Sequence, residues 1–114
     1  TERKQRSDPQ NRYLHVCIGI VAMETGNTMD YVKRYYFKAH CNADLFVTGR
    51  YDTRLQQNVR TLKSSRDLST EDMTTAIERF RNWAATEGWY IPTPEEEYMI
   101  RQAEIEINRR KEYL

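Results

Sequence analysis

Residues 13–23, YLHVCIGIVAM, are the most apolar stretch of this 114-residue chain, and the fold depends on how they are buried. Apolar side chains recur at positions 14, 17, 18 and 21, which is the spacing of one helix face, and further apolar residues lie beside them. Because more than one stripe is apolar, we predict a helix that is the most buried element. Asp8 followed by Pro9 predicts its start, and Gly26 predicts a left-handed end.

A second helix is predicted directly after this one, with Asn27 or Thr28 as its N-cap. The spacing of its apolar residues predicts an inward stripe, with Lys33, Arg34 and Lys38 on the other side. The predicted stripe consists of Val32, Tyr35, Tyr36 and Ala39.

The stretch from 42 to 66 lacks helical periodicity, and residues 45–48 and 58–62 are typical of short strands. Gly49 and Asp52 supply turn chemistry between them. The sequence therefore predicts a small, irregular β-hairpin.

Two more helices are predicted in the second half of the chain. Ser69 and the acidic residues after it predict the start of the third helix, which ends at Gly88, and Trp89 is expected to fold back on its last turn. Residues 93–96, TPEE, have the pattern of a capping box that begins the fourth helix. The predicted inward residues are Met73, Ala76, Ile77, Phe80 and Ala84 in the third helix, and Met99, Ile100, Ala103 and Ile107 in the fourth.

These patterns together predict a mainly α (α+β) fold, with about four helices and a small β-hairpin between the second and third. We expect one domain over residues 1–114, because the length is that of a single domain. Residues 1–7 are expected to be a flexible basic arm, and residues 108–114 a frayed, charged helix end.

Composition and cysteine content indicate a protein of the cytoplasm. Charged residues make up 31% of the chain, and the longest uncharged apolar run, residues 16–23, is too short to cross a bilayer. No signal peptide is visible, and Cys17 and Cys41 have no secretory context, so reduced thiols are expected. The spacings His15-x-Cys17 and His40-Cys41 are too tight for a typical zinc site. We therefore expect no metal and no cofactor.

No catalytic pattern stands out, and we predict that the protein is not an enzyme. The four glycines are isolated from one another, so no phosphate-binding glycine loop is present in the sequence. The acidic run at residues 95–97 falls in the first turn of a predicted helix, where carboxylates offset the helix dipole. That role explains the run better than a magnesium site does.

Charge is distributed unevenly along the chain. Residues 1–66 contain twelve Lys/Arg and six Asp/Glu, a net charge of +6, whereas residues 67–114 contain six and eleven, a net charge of −5. Such asymmetry indicates nucleic-acid contact through the basic half, although charges that simply cover solvated faces would produce the same count. Lys/Arg, amide side chains and exposed aromatic rings are the groups that bind phosphates and bases. The predicted DNA-binding residues are Arg6, Gln10, Asn11, Arg12, Arg50, Tyr51, Arg54, Arg60, Lys63 and Arg66.

Four short motifs, taken in order, resemble the phage NinB (lambda Orf-like) family of recombination proteins. Residues 6–12, RSDPQNR, are similar to the opening "RS-x-x-QNR" of that family, and residues 64–73 to its "S-T-x-x-L-(S/T)-x-x-(E/D)-(F/M)" stretch. Residues 77–85, IERFRNWAA, resemble its "IERIRxWAA" helix, and residues 90–95 its closing "(I/Y)IPxPxE".

The resemblance implies a phage accessory protein for homologous recombination. Such a protein would bind DNA with little sequence preference, favour single strands over duplex, and assist strand annealing on DNA coated by single-strand-binding protein. The resemblance also implies a homodimer, with single-strand-binding protein or a phage annealing protein as a partner and no membrane.

Two other functions stay open on the sequence alone. One is an adaptor that docks another protein through its aromatic surface or its last helix and does not bind DNA. The other is a nuclease or junction-processing enzyme, which would need converging carboxylates and Mg²⁺.

Overall fold

The computed structural model describes residues 8–111, with side chains from Pro9 onward. The predicted arm at residues 1–7, and the last three residues of the predicted frayed end, lie outside this range. The elements in chain order are α1 (Asp8–Thr25), α2 (Met29–Tyr31), a π-helical segment (Val32–Cys41), α3 (Ala43–Phe46), β1 (Val47–Asp52), β2 (Gln57–Leu62), a 3₁₀ turn (Ser65–Asp67), α4 (Thr70–Thr86) and α5 (Glu97–Arg109). The predicted mainly α fold with one hairpin is confirmed, with α3 as an additional short helix.

Helix α1 supplies eight of the buried apolar residues in the described chain, more than any other element, as its sequence predicts. It contacts α2, the π-helical segment, α4 and α5. Gly19 makes the contact with α5 possible, because a Cβ there would lie 2.3 Å from Cδ1 of Ile107. Gly26 ends the helix with a φ of +75°, the left-handed conformation expected of a glycine at that position.

The predicted inward stripe of the second helix is only partly right. Thr28 is the N-cap, and its hydroxyl accepts a hydrogen bond from the N–H of Tyr31 at 3.1 Å. Beyond Tyr31 the chain adopts π-helical geometry, which buries Val32 and Phe37 and leaves Tyr35 51% exposed. A π-helix bonds i to i+5, so its inward residues recur at wider spacing than the α-helical stripe assumed from the sequence.

A buried amide lies at the end of the π-helical segment. The side chain of Asn42 is fully buried, and its Nδ2 donates to the carbonyl oxygens of Phe37 at 2.9 Å and Ala76 at 3.1 Å. Phe37 itself packs between the rings of Phe46 and Phe80, each with its centroid 5.5 Å away. These contacts join the π-helical segment, α3 and α4.

The hairpin is present, but its first strand was predicted two residues early. Residues 45 and 46 belong to α3, because Phe46 is needed in the core beside Phe37 and takes a helical backbone there. Gly49 lies inside β1, and the turn falls at residues 53–56. Asp52 supports that turn, since its Oδ1 accepts the N–H groups of Arg54 at 2.8 Å and Leu55 at 3.0 Å.

Helix α4 matches its prediction closely. Ser69 is the N-cap, and Oγ accepts the N–H of Asp72 at 3.1 Å. The five predicted inward residues are all buried. Gly88 has a φ of +86°, and the N–H of Trp89 bonds the carbonyl of Ala84 at 2.9 Å, so the chain folds back as expected.

Helix α5 begins at Glu97, three residues after the predicted first helical residue. The capping box forms only in part: the carboxylate of Glu96 accepts the N–H of Thr93 at 3.2 Å, while the two residues between them form a turn. Ile107 is buried against α1, but Met99 is 42% exposed, contrary to the prediction. Met99 lies about 100° around the helix from Ile100, outside the narrow stripe that packs on the core.

We expect Phe37→Ala to lower the free energy of unfolding by about 3–5 kcal/mol, because the ring is fully buried between two others. Tyr35→Ala should cost less than about 1 kcal/mol, because half of that side chain is already in solvent. Urea denaturation of both variants measures the difference. A larger loss for Tyr35→Ala would mean that the segment is α-helical, with Tyr35 turned inward.

Candidate nucleic-acid interface

Two of the predicted DNA-binding residues in α1 bind other helices. The amide of Gln10 donates to the carbonyl of Thr70 and the hydroxyl of Thr74, both at 3.1 Å. Arg12 forms two hydrogen bonds to the carboxylate of Glu104, at 2.9 and 2.7 Å. These contacts connect α1 to α4 and to α5, so both side chains are occupied by tertiary contacts. Arg6 lies outside the described residues.

The Arg12–Glu104 pair shifts the titration of both groups. Hydrogen bonding to Arg12, followed by its positive charge, lowers the pKa of Glu104, and the same contact raises the pKa of Arg12. A bidentate arginine–carboxylate pair holds both partners in one geometry. Release of Arg12 to a phosphate would therefore break a contact between α1 and α5.

The predicted basic residues of the hairpin region are not paired in this way. Within residues 9–111, the ion pairs use Arg12, Arg34, Arg79, Arg109 and Arg110. Five of the predicted basic residues take part in none of these ion pairs, and all five are exposed: Arg50, Arg54, Arg60, Lys63 and Arg66.

The two-stranded register places these cations on different faces. Gly49 pairs with Arg60, and Arg50 pairs with Val59. Directly paired residues share a face and successive residues alternate, so Arg50 and Arg60 point to opposite sides. Tyr51, which is 60% exposed, shares the face of Arg60 and lies diagonally across from it. One hairpin face thus combines an aromatic ring with a cation, rather than all five cations forming one track.

A second exposed group lies on the helix after α1. The rings of Tyr31 and Tyr35 are 4.8 Å apart between centroids, and the two residues are 41% and 51% exposed. Tyr31 also meets Tyr36 edge-on at 5.5 Å, and Tyr36 contacts Trp83 at 5.2 Å. The exposed pair is therefore supported from below by rings anchored in the core.

Three cations lie on the same segment of the chain as this tyrosine pair. Partial burial and, secondarily, the positive charges of Lys33 and Arg34 lower the pKa of Lys38. The ammonium of Lys38 donates to the carbonyl of Lys63 at 2.8 Å and lies over the ring of Phe46. We name the group Tyr31, Lys33, Arg34, Tyr35 and Lys38 the tyrosine–cation face.

Sequence reasoning did not include this face among the predicted site residues. The α-helical period predicts that Tyr35 and Tyr36 both face inward, so Tyr35 was expected in the core. The sequence feature that could have indicated this face is residues 31–38, YVKRYYFK, in which groups of aromatic and basic residues follow one another. The three cations of this segment were predicted to face outward, but they were not predicted to form a binding site together with the tyrosines.

Two predicted residues from distant parts of the chain, Asn11 and Arg66, meet at one groove. It has a volume of about 370 Å³ and lies between α1, the start of α2 and the 3₁₀ turn. His15 and Lys33 also line it, and neither was predicted as a site residue. Lys33 therefore belongs both to the groove and to the tyrosine–cation face.

The surface of the described residues presents aromatic rings and cations rather than grouped metal ligands. In the described part of the chain, no three His, Cys, Asp or Glu side chains are grouped closely enough to hold a metal ion. Cys17 is fully buried, and burial raises its pKa to about 12, so the thiol is neutral near pH 7. What the surface does offer is exposed rings and unpaired cations, the groups that bind bases and phosphates.

Comparison with known proteins identifies no relative: no family description, curated protein or solved structure matches the chain. None of the helices between residues 8 and 111 has the length and apolar character needed to span a membrane.

We expect Glu104→Gln to reduce the loss of stability on acidification. The folded-state pKa of Glu104 lies below its ordinary value, so its contribution is complete above the unfolded pKa of about 4.3 and is lost as the pH falls through the folded pKa. Thermal unfolding of wild type and variant between pH 7 and pH 3 measures this. Parallel pH profiles would show that Arg12 does not hold Glu104 in solution and is available to another anion.

Proposed function

We propose that this protein is a DNA-binding accessory protein that binds single-stranded DNA without sequence specificity. The observation that carries the proposal is the exposed pair of Tyr31 and Tyr35, whose ring centroids are 4.8 Å apart, on a segment that also contains Lys33, Arg34 and Lys38. Proteins that bind single strands combine cations that follow the backbone with aromatic rings on which bases stack. The tyrosine–cation face has both on one segment.

Lack of sequence preference follows from the same chemistry. Every base has a π-face, so stacking on a tyrosine is tolerant of sequence, and phosphate contacts carry no sequence information. Stacking contributes about 1–3 kcal/mol per base in such proteins. Two adjacent rings therefore support binding to a strand of any sequence, together with Lys33, which takes part in no ion pair within residues 9–111, and the exposed Arg34, whose pair with Asp30 is long at 3.6 Å.

The hairpin is the second element of the proposed DNA surface. Tyr51 and Arg60 share one of its faces, and a two-stranded ribbon has the dimensions to enter the major groove of duplex DNA. If the protein also binds duplex DNA, the ribbon is the element that would contact it. Both surfaces lie in the basic first part of the chain, residues 1–66.

The biological role that we propose comes from the resemblance to the NinB family. It is assistance to strand annealing during phage recombination, on DNA coated with single-strand-binding protein, in the host cytoplasm and as a homodimer. A face that binds bases and phosphates of any sequence suits that role, because annealing partners are defined by base pairing and not by the accessory protein.

An adaptor function is the second candidate, and it is favoured by the outer side of α5. Tyr98 is 76% exposed, Ile105 is 45% exposed, and the two lie seven residues apart on one stripe of the helix. Exposed apolar residues in a stripe are a feature of helices that dock a partner protein. The adaptor candidate therefore uses a different surface from the DNA candidate.

We expect Tyr35→Ala to weaken binding to a fluorescent oligothymidylate about tenfold, because one stacking platform is lost. The slope of affinity against salt should stay the same, since no charge is removed. Fluorescence anisotropy at several salt concentrations measures both. Tyr98→Ala is the matched control, because it removes an exposed tyrosine from α5; equal affinity in both variants would exclude stacking on the tyrosine–cation face.

We expect the double variant Arg60→Ala/Lys63→Ala to weaken binding to all sequences about equally and to reduce the salt slope on single strands by about 1.4, the value for two lost phosphate contacts. Arg101→Ala/Lys111→Ala, which removes two exposed cations at and beyond α5, is the control for net charge. An unchanged slope in the hairpin variant would remove the hairpin from the DNA surface. Stronger loss on duplex than on single strands would assign the ribbon to duplex binding.

A further inference from the structure

The groove between α1, the start of α2 and the 3₁₀ turn has a polar rim drawn from four elements, since the π-helical segment contributes Lys33. Its volume of about 370 Å³ lies at the lower end of the range for small-molecule sites, about 300–1,000 Å³. Leu14, Ile18 and Met29 form its apolar floor. The rim consists of Asn11, His15, Asp30, Lys33, Ser65 and Arg66.

Positive charge dominates this rim. Lys33 and Arg66 come from different elements, and neither takes part in an ion pair within residues 9–111. Among the lining residues Asp30 is the carboxylate, and it is paired with Arg34 at 3.6 Å. Two cations therefore face the groove with their charges uncompensated, while its acidic residue is partly neutralised by an arginine outside it.

Two cations that line one groove favour a ligand that carries two negative charges. A phosphate monoester carries about −1.5 to −2 at pH 7, whereas each phosphodiester inside a strand carries a single negative charge. Lys33 and Arg66 match the monoester in charge. The amide of Asn11 and the imidazole of His15 add hydrogen-bonding groups, and the apolar floor suits the flat face of a base.

The position of the groove relates it to the tyrosine–cation face. Lys33 lines the groove and lies between Tyr31 and Tyr35 in sequence, so the groove and the tyrosine pair draw on the same segment. The terminal phosphate is the group of a single strand that carries more than one negative charge, so the two cations of the groove favour a strand end over an internal phosphodiester.

We propose that this groove binds the terminal nucleotide of a single strand through a phosphate monoester at the strand end, with Lys33 and Arg66 contacting the phosphate. The site would make the protein a reader of strand ends in addition to a non-specific binder. This inference rests on the proposed function, because the rest of the strand lies on the tyrosine–cation face. The terminal phosphate is either a 5′- or a 3′-phosphate, since both have the same charge.

The test compares three oligothymidylates of equal length, each with the fluorophore at an internal position. One carries a 5′-phosphate, one a 3′-phosphate, and one has hydroxyl groups at both ends. We expect one of the two phosphorylated strands to bind about tenfold more tightly than the hydroxyl strand. Arg66→Ala should remove this preference, while Arg101→Ala, with the same change in net charge, should retain it.

The outcomes separate this inference from the proposed function. Equal binding of all three strands overturns the groove as an end-binding site and leaves the proposed function standing. A preference for a terminal phosphate that persists in Arg66→Ala also overturns it, because the phosphate then binds elsewhere. Failure of every strand to bind overturns the proposed function and this inference with it. Arg66 is exposed and its side chain forms no hydrogen bond within residues 9–111, so the variant is expected to fold.

Discussion

The packing of Phe37 between Phe46 and Phe80 is the contact on which the surface of this protein depends. It holds residues 32–41 in a π-helix, a geometry that is rare at such length because its hydrogen bonding is less favourable than that of an α-helix. The buried amide of Asn42 supports it by bonding two carbonyl groups, one in the π-helical segment and one in α4. An unsatisfied polar group at this depth would cost about 1–3 kcal/mol, so the amide and the ring together define one register.

That register determines which side chains reach solvent. With Phe37 inward, Tyr31 and Tyr35 form an exposed pair on a segment that also contains Lys33, Arg34 and Lys38. A chain of rings runs from Tyr35 to Tyr31, then to Tyr36 and Trp83, and links the exposed tyrosines to the core. Rings that are already held in place lose little conformational entropy when a base stacks on them. The packing of the exposed tyrosines on core rings therefore favours binding.

The predictions that succeeded are those that depend on local signals. Helix α4 has a serine N-cap, an apolar stripe of ordinary helical period and a glycine end, and each signal acts within one or two turns. The burial of α1 was predictable because residues 13–23 form a long apolar stretch with more than one apolar stripe. The hairpin was recognised from its strand-forming residues, although its start was misplaced because Phe46 serves the core in a helical conformation.

The sequence by itself determined the helical class of the fold, the central position of α1, the ends of α4 and the basic character of the first half. Only the tertiary structure decided that Arg12 pairs with Glu104, that Tyr35 faces solvent, and that Asn11 meets Arg66 at one groove. Each of these depends on a partner far away in sequence, and the choice between an α- and a π-helical register depends on rings from α3 and α4. A periodicity read along one segment contains no information about those partners, and so the surface proposed to bind DNA emerged only when the chain was folded.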